Sequence, residues 1–422
     1  MNARTIALEA LDKIINKEAF SNIVVNEFLE KFEMSSEDRS FFTKLVYGTL
    51  EHMLTLAYYV EPYIPQKRQK PWVLPLLYMS LYQIIYLEIP HYAVLNESVE
   101  IAKTKDRYSG GFINAILRNV LRNPLRSIDE LDELNRLSVR YSHPVWLVAF
   151  LRKDFSKDVV EKILAYNQEE TKNAIRVNTL KTTKEAVVQK LTELGYQFEV
   201  SSLVENGILV DKEVLSTAMF ELGHITMQDI SAQKVSEVME PNKTDRIADL
   251  CAAPGGKTMH LAALMQNQGE IDAFDLYDHK LNLMRKNFKR LGVENVNLAL
   301  QDAREVLDAH NVAHYDHVLL DAPCSGLGVL AHKVDLRYRL TLDSIDEVVL
   351  LQEEMLEKTY DLTKVGGYYT YATCTINRDE NQKQIQKFIK KHPEFEIVYE
   401  EQILPFESRS DGFYICKMKR MK

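Results

Sequence analysis

Two cysteines are set apart by their surroundings: Cys324 in DAPCSGLG (321–328) and Cys374 in YATCT (371–375). Each follows a stretch that reads as an apolar strand, HVLLD (317–321) and GYYTYATC (367–374). DLCAAPGGKT (249–258) closes the strand-like RIADLC (246–251). Asp275 and Asp302 follow EIDAFD (270–275) and VNLAL (296–300). In an open parallel sheet, ligands bind beyond the carboxyl ends of the strands. Five such ends bearing thiols or carboxylates point to one crevice and are hard to explain as packing.

Each end suggests a task. Gly255 and Gly256 let backbone approach a ligand, and Lys257 opens a helix whose N–H groups face whatever binds. A phosphate-binding P-loop is disfavoured, because Cys251 stands where that motif needs glycine. Asp275 lies 19 residues beyond Gly256, the distance at which a carboxylate accepts hydrogen bonds from ribose hydroxyls. Asp302 suits an adenine amino group. The competing role for either aspartate is a helix N-cap. An adenosine ligand without a pyrophosphate cradle favours S-adenosylmethionine over NAD.

Two thiols over such a site imply a target carbon that is not nucleophilic by itself, and cytosine C5 is one. A thiolate adding at C6 makes C5 enamine-like, and loss of the C5 proton with expulsion of the thiol restores the ring. Charge building on the pyrimidine needs a proton or hydrogen bond at N3, for which Asp321 is placed. No residue is identified as base for the C5 proton. A buried cysteine is otherwise a small hydrophobe; that role is expected of Cys251 and Cys416, set in apolar strand contexts, and not of Cys324 and Cys374. Which of these two attacks is left open by the residues themselves.

The elements that must position these groups fall into three parts. A chain of 422 residues suggests two or three domains at roughly 150 residues each. With 46% hydrophobic and 27% charged residues, it is an ordinary globular chain. Glycine is scarce before residue 195, where apolar residues recur at helical spacing, so 1–140 is expected to be all-helical. Residues 141–225 read as a small α/β insert of the kind that cradles RNA: strand IRVN (175–178), helix Lys184–Leu194 capped by Gly195, then strand 197–200. Residues 226–422 alternate strand, tight loop and helix, with Ser344 and Glu347 fitting a capping box. FEIVY (395–399) and GFYICKM (412–418) are expected to pair antiparallel at one edge. The fold class is thus α plus α/β, multidomain, ending in a Rossmann-like sheet.

The net charge of −9 excludes a uniformly basic coat but not a local patch. Lys103, Lys105, Arg107, Arg118, Arg122 and Arg126 face a single acid, Asp106, and form either a phosphate-binding stripe or a solvated helix face. The apolar run Trp72–Leu87, broken by Pro75, Ser80 and Gln83, is too short for a membrane span. The N-terminal MNARTIALEALDKII reads as an amphipathic helix, not a signal peptide. No CxxC pair exists among the four cysteines, so no metal is expected, and reduced thiols suit the cytoplasm.

The strings DLCAAPGGKT, DAPCSGLG and YATCT, with RVNTLK (176–181) and MQDISAQ (227–233), resemble the RNA cytosine-C5 methyltransferases of the NOL/NOP/Sun family. FINAILRNVLR (112–122) is similar to the NusB-like helical RNA-binding domain of its bacterial ribosomal branch. The resemblance implies a class I S-adenosylmethionine-dependent methyltransferase domain and a 16S ribosomal RNA substrate; a monomer is expected, although sequence does not fix the oligomeric state. It implies Cys374 as nucleophile and Cys324 as assistant in product release. It further implies that Cys251, Ala252, Ala253, Pro254, Gly255, Gly256 and Lys257, with Asp275, Asp302 and Asp321, line the pocket for cofactor and base. Thr375 departs from the usual serine but keeps a hydroxyl. A transfer RNA substrate, or a non-catalytic ribosome-assembly factor, is the alternative; the paired thiols argue against the second.

Overall fold

The structure, a computed structural model, describes residues 2–169, 171–309 and 312–422. The chain divides into two compact units. One holds residues up to 169 together with Leu330–Arg339; the other holds 170–329 and 340–422.

The first unit is helical. Its helices run from Ala3–Asn16 to Lys157–Tyr166, around a core that includes Leu8, Leu11, Phe42, Leu45, Leu76 and Leu117. The helix Val73–Ile85 is buried on nearly every face, which accounts for the apolar run. Pro75 is tolerated because it falls in the first turn, where its missing N–H has no intrahelical partner. Gly48 is required by packing: a Cβ there would sit 2.0 Å from the Tyr82 ring. The helix Ser109–Arg122 buries Ile113, Ile116, Leu117 and Val120 and leaves Arg118 and Arg122 exposed. The segment Leu330–Arg339 is anchored within this unit: the Ser21 hydroxyl donates to Asp335 at 2.5 Å, and buried Arg337 donates to the carbonyls of Asn167 and Leu330.

The second unit begins with a four-stranded antiparallel sheet of β1 (Asn173–Val177), β2 (Phe198–Val200), β3 (Gly207–Val210) and β4 (Ile225–Met227), ordered β2-β3-β1-β4. The helix Lys184–Glu193 covers it, ending at Gly195 with φ +72° as its spacing predicts. A larger sheet follows: β5 (Arg246–Asp249), β6 (Glu270–Asp275), β7 (Val296–Leu300), β8 (Tyr315–Asp321), β9 (Thr363–Thr373), β10 (Phe395–Ile403) and β11 (Phe413–Arg420). Its order is β10-β11-β9-β8-β5-β6-β7. The five strands β5 to β9 are parallel, and β11 pairs antiparallel with both β9 and β10. Apolar clusters fill both faces, one around Val318, Leu320, Tyr369 and Tyr371, the other around Ile247, Leu261, Leu319 and Ile415.

Two local expectations change. β5 stops at Asp249, so Cys251 lies in the turn beyond the strand and not inside it. The capping box before the helix Leu342–Thr359 is Thr341 with Ser344. The helix therefore starts a turn earlier than Ser344 and Glu347 suggest.

Candidate active site

The chain leaves β5, fills one side of the sheet with β6 and β7, then returns to the other side of β5 as β8. Ligands bind at such a reversal. A cavity of about 430 Å³ lies there, lined by residues that include Cys251, Ala253, Lys257, Asp275, Asp302, Asp321, Cys324 and Cys374. That volume suits a nucleoside-sized ligand, for which pockets of roughly 300–1,000 Å³ are usual.

Neighbouring strand ends bring the cysteines together. In the β8–β9 register Asp321 faces Ala372, and the Ala322 N–H donates to the Ala372 carbonyl at 2.9 Å. The loop after Asp321 then folds over the end of β9, with the Gly328 N–H on the Cys374 carbonyl at 3.1 Å. A Cβ on Gly328 would meet the Gly412 carbonyl at 1.9 Å, so only glycine permits this approach. The result is a separation of 3.3 Å between the Cys324 and Cys374 sulfurs. The hydrogen bond with Cys374, burial and the nearby negative charges of Cys374 and Glu380 all push the Cys324 thiol up.

Lys257, at the start of the helix Gly256–Leu264, donates to Asp321 at 2.6 Å and lies over the Phe413 ring at 4.9 Å. Burial works against its charge, yet Asp321 and the neighbouring Cys374 and Asp249 hold its pKa above the usual lysine value. Asp249 is fully buried and accepts from the Thr258 hydroxyl at 2.6 Å. Burial lifts its carboxyl to about 7, against that hydrogen bond and with help from the Asp321 charge. Cys251 is likewise pushed up by burial and by four carboxylates, Asp321, Asp249, Asp275 and Asp302.

The glycine loop is drawn toward β6 because Asp275 accepts from the Ala253 N–H at 3.2 Å and the Tyr277 N–H at 3.1 Å. Gly255 takes φ +99°, a left-handed conformation that disfavours side chains. Asp302 lines the cavity but also caps the short 3-10 turn Ala303–Glu305 and pairs with Arg304 at 2.7 Å. Its competing structural role is thus present as well. Of the residues expected to line the pocket, Ala252, Pro254, Gly255 and Gly256 do not. Ala252 turns instead into a cluster with Met259, Leu281 and Met284, and the glycines shape the loop behind the wall.

Sequence reasoning missed Leu276, Tyr277, Lys280, Gln301, Arg304, Leu351 and Met355 in the lining. Tyr277 and Gln301 sit beside Asp275 and Asp302, so adjacency to the strand-end carboxylates was an available signal. Leu351 and Met355 come from a helix remote in sequence and gave none.

Half of the basic stripe is paired with carboxylates. Lys103 pairs with Glu100, Lys105 with Glu9 and Arg126 with Glu61, while Asp106 is held by Lys70 at 2.5 Å. Arg107, Arg118 and Arg122 are exposed and make no ion pair among the described residues. Nor do the described residues include a group of His, Cys, Asp or Glu able to hold a metal ion, or a helix long and apolar enough to cross a membrane.

The parallel sheet, the glycine loop and the carboxylates beyond β6 and β7 define a Rossmann-like methyltransferase that uses S-adenosylmethionine. The lining fits that cofactor: carboxylates able to accept hydrogen bonds, from Asp275 and Asp302, and an apolar wall from Leu250, Leu351 and Met355. The chain belongs to the family described as 16S rRNA methyltransferase RsmB/F, whose model matches residues 236–419. Residues 1–122 match the NusB family, and 143–216 a ferredoxin-like domain of RsmF/B-like methyltransferases. A relative from Bacillus subtilis, named as a probable ribosomal RNA small subunit methyltransferase B, is 36% identical over 99% of both chains. The crystal structure of PH0851 is 26% identical and covers 99% of both chains with a TM-score of 0.84. A methyltransferase homologue from Pyrococcus horikoshii is 28% identical, covering 69% of this chain and 100% of its own, with a TM-score of 0.61.

Proposed function

We propose that this protein methylates C5 of a cytosine in 16S ribosomal RNA through a transient bond between Cys374 and C6 of the ring. The observation that carries the proposal is the pair of sulfurs 3.3 Å apart on a cavity that also presents Lys257 and Asp321. The names of the relatives support small-subunit ribosomal RNA as substrate. The NusB-like helices and the small antiparallel sheet would hold the RNA while the target base leaves its stack.

When bound, S-adenosylmethionine supplies an electrophilic methyl group. Asp275, Asp302 and the apolar wall would hold it. The Lys257 ammonium, close enough to interact with Cys374, favours a negative sulfur there. That thiolate adds to C6, and the ring electrons move toward C5 and N3. As charge builds on the ring, N3 takes up a proton from solvent, and Asp321, fixed through one oxygen by Lys257, accepts a hydrogen bond from it until the proton returns to solvent on product release. Once C5 is methylated, its proton leaves to a base, and the electrons so released expel Cys374 and restore the double bond. Cys324, held as a thiol, donates a hydrogen bond to the departing sulfur.

Bisulfite mapping of ribosomal and transfer RNA from cells lacking the protein tests the substrate. One 16S cytosine should lose its protection. A change confined to transfer RNA, or none at all, would overturn the proposal.

A further inference from the structure

Beyond the cavity, the turn between β9 and the helix Gln382–Lys391 buries Glu380 and Asn381 completely. The Glu380 carboxylate accepts from the Ser325 N–H at 2.8 Å, the Ser325 hydroxyl at 2.5 Å and the Asn377 amide at 2.9 Å. It also accepts from the Gln352 amide at 3.1 Å and the Thr375 hydroxyl at 3.4 Å. Among the described residues no lysine or arginine pairs with it. A buried carboxylate without a cation is retained only when hydrogen bonds satisfy it, and here every donor comes from one small neighbourhood.

That neighbourhood is the pair of loops bearing the thiols, joined by Gln352 from the helix Leu342–Thr359. Ser325 follows Cys324, and Thr375 follows Cys374. Gln352, while donating to Glu380, also donates to the Pro323 carbonyl at 2.8 Å, so Cys324 is gripped on both sides. Asn381 accepts from the Thr373 hydroxyl at 2.6 Å and donates to the Thr375 carbonyl at 2.9 Å, which grips Cys374 in the same way. The Ser325 and Thr375 hydroxyls close the frame at 2.8 Å.

We infer that Glu380 is a positioning residue: with Gln352 and Asn381 it locks the two cysteine loops together and fixes the distance between the sulfurs. The negative charge of Glu380 is also one of the influences that raise the Cys324 thiol. Glu380 touches neither sulfur; it acts through the Ser325 N–H and hydroxyl beside Cys324 and through the side chains of Thr375 and Asn377 after Cys374. The inference rests on the covalent chemistry proposed above only in the part that concerns turnover.

The test is Glu380→Gln, which keeps the size but removes the charge and turns an amide N–H₂ toward donors. Diamide joins two thiols as a disulfide and carries away both hydrogens, so its rate of linking Cys324 to Cys374, read by peptide mass spectrometry, reports their alignment without RNA. In the variant this rate should fall roughly tenfold or more, as misplacement by a fraction of an ångström demands. Turnover kcat should fall with it, while KM for RNA and affinity for S-adenosylmethionine stay within about twofold. Wild-type linking in a variant that binds cofactor normally would overturn the inference. So would lost turnover with unchanged linking, because the role would then lie elsewhere than in alignment. Slow linking in the variant, combined with a wild-type enzyme that leaves cytosine unmodified, would support the positioning role and sink the proposed function alone. Should Glu380→Gln fail to fold, Ser325→Ala removes one hydroxyl and keeps the N–H contact. A drop of about threefold in linking is then expected, and wild-type linking overturns the inference.

Discussion

The sulfurs of Cys324 and Cys374 lie 3.3 Å apart because β8 and β9 are parallel neighbours whose ends are in register at Asp321 and Ala372. At that distance the two thiols cannot act independently. If Cys374 attacks and Cys324 assists release, their loss has opposite signatures. Cys374→Ala should abolish methyl transfer, by at least about 10⁴-fold, with no protein–RNA adduct on denaturing gels. Cys324→Ala should instead accumulate such an adduct, because bond formation survives and breakdown slows. An adduct in the Cys374 variant would reverse the roles.

The ion pair of Lys257 and Asp321 binds the glycine loop to the Pro-Cys loop at 2.6 Å. It leaves Lys257 near Cys374 with its positive charge secured. Lys257→Met should lower kcat about 10²-fold, a loss typical of one preorganised charge, and move Cys374 alkylation to higher pH. Lys257→Arg keeps the charge but not the compact geometry and should fall between. If the alkylation profile of Lys257→Met matched wild type, Lys257 would not be what favours the Cys374 thiolate.

Much of the sheet was legible in the sequence because strand ends carry chemistry: EIDAFD and VNLAL are β6 and β7 residue for residue. Proximity of Cys324 and Cys374 was readable too, since adjacent parallel strands present their next residues side by side. The Lys257–Asp321 pair was not, as its partners are 64 residues apart and charge alone does not say which carboxylate a lysine reaches. Glu380 was hidden for a similar reason: its donors come from three segments that only the fold assembles. The partial covering of the basic stripe was hidden as well, because Glu9 and Glu61, distant in sequence, come back to pair with Lys105 and Arg126.

Asp249 makes stability depend on pH. Its carboxyl is raised from 3.8 to about 7 in the folded protein, so the folded state binds the proton more tightly than the unfolded one. The associated stabilisation is fully present below pH 3.8 and is lost as pH rises through about 7. Asp249→Asn, unable to ionise, should show a smaller fall in Tm between pH 5 and pH 8 than wild type. Equal falls measured by calorimetry would mean that Asp249 stays ionised in the fold.

The surviving cations of the helical unit make a graded prediction. Arg118 and Arg122 share an exposed face of Ser109–Arg122 and carry no carboxylate partner among the described residues, whereas Lys103, Lys105 and Arg126 spend their charge on Glu100, Glu9 and Glu61. Removing one cation that neutralises a phosphate should reduce the slope of log affinity against log salt by about one. Replacing Arg118 and Arg122 by Glu should therefore weaken RNA binding and flatten the slope by about two. Replacing Lys103 and Arg126 by Ala should change it by less than one, because paired surface cations release few counterions. Filter binding of small-subunit RNA across a salt series separates the cases. Equal slopes for both double variants would mean that the ion pairs open when RNA arrives, and unchanged slopes for both would mean that this face only meets solvent.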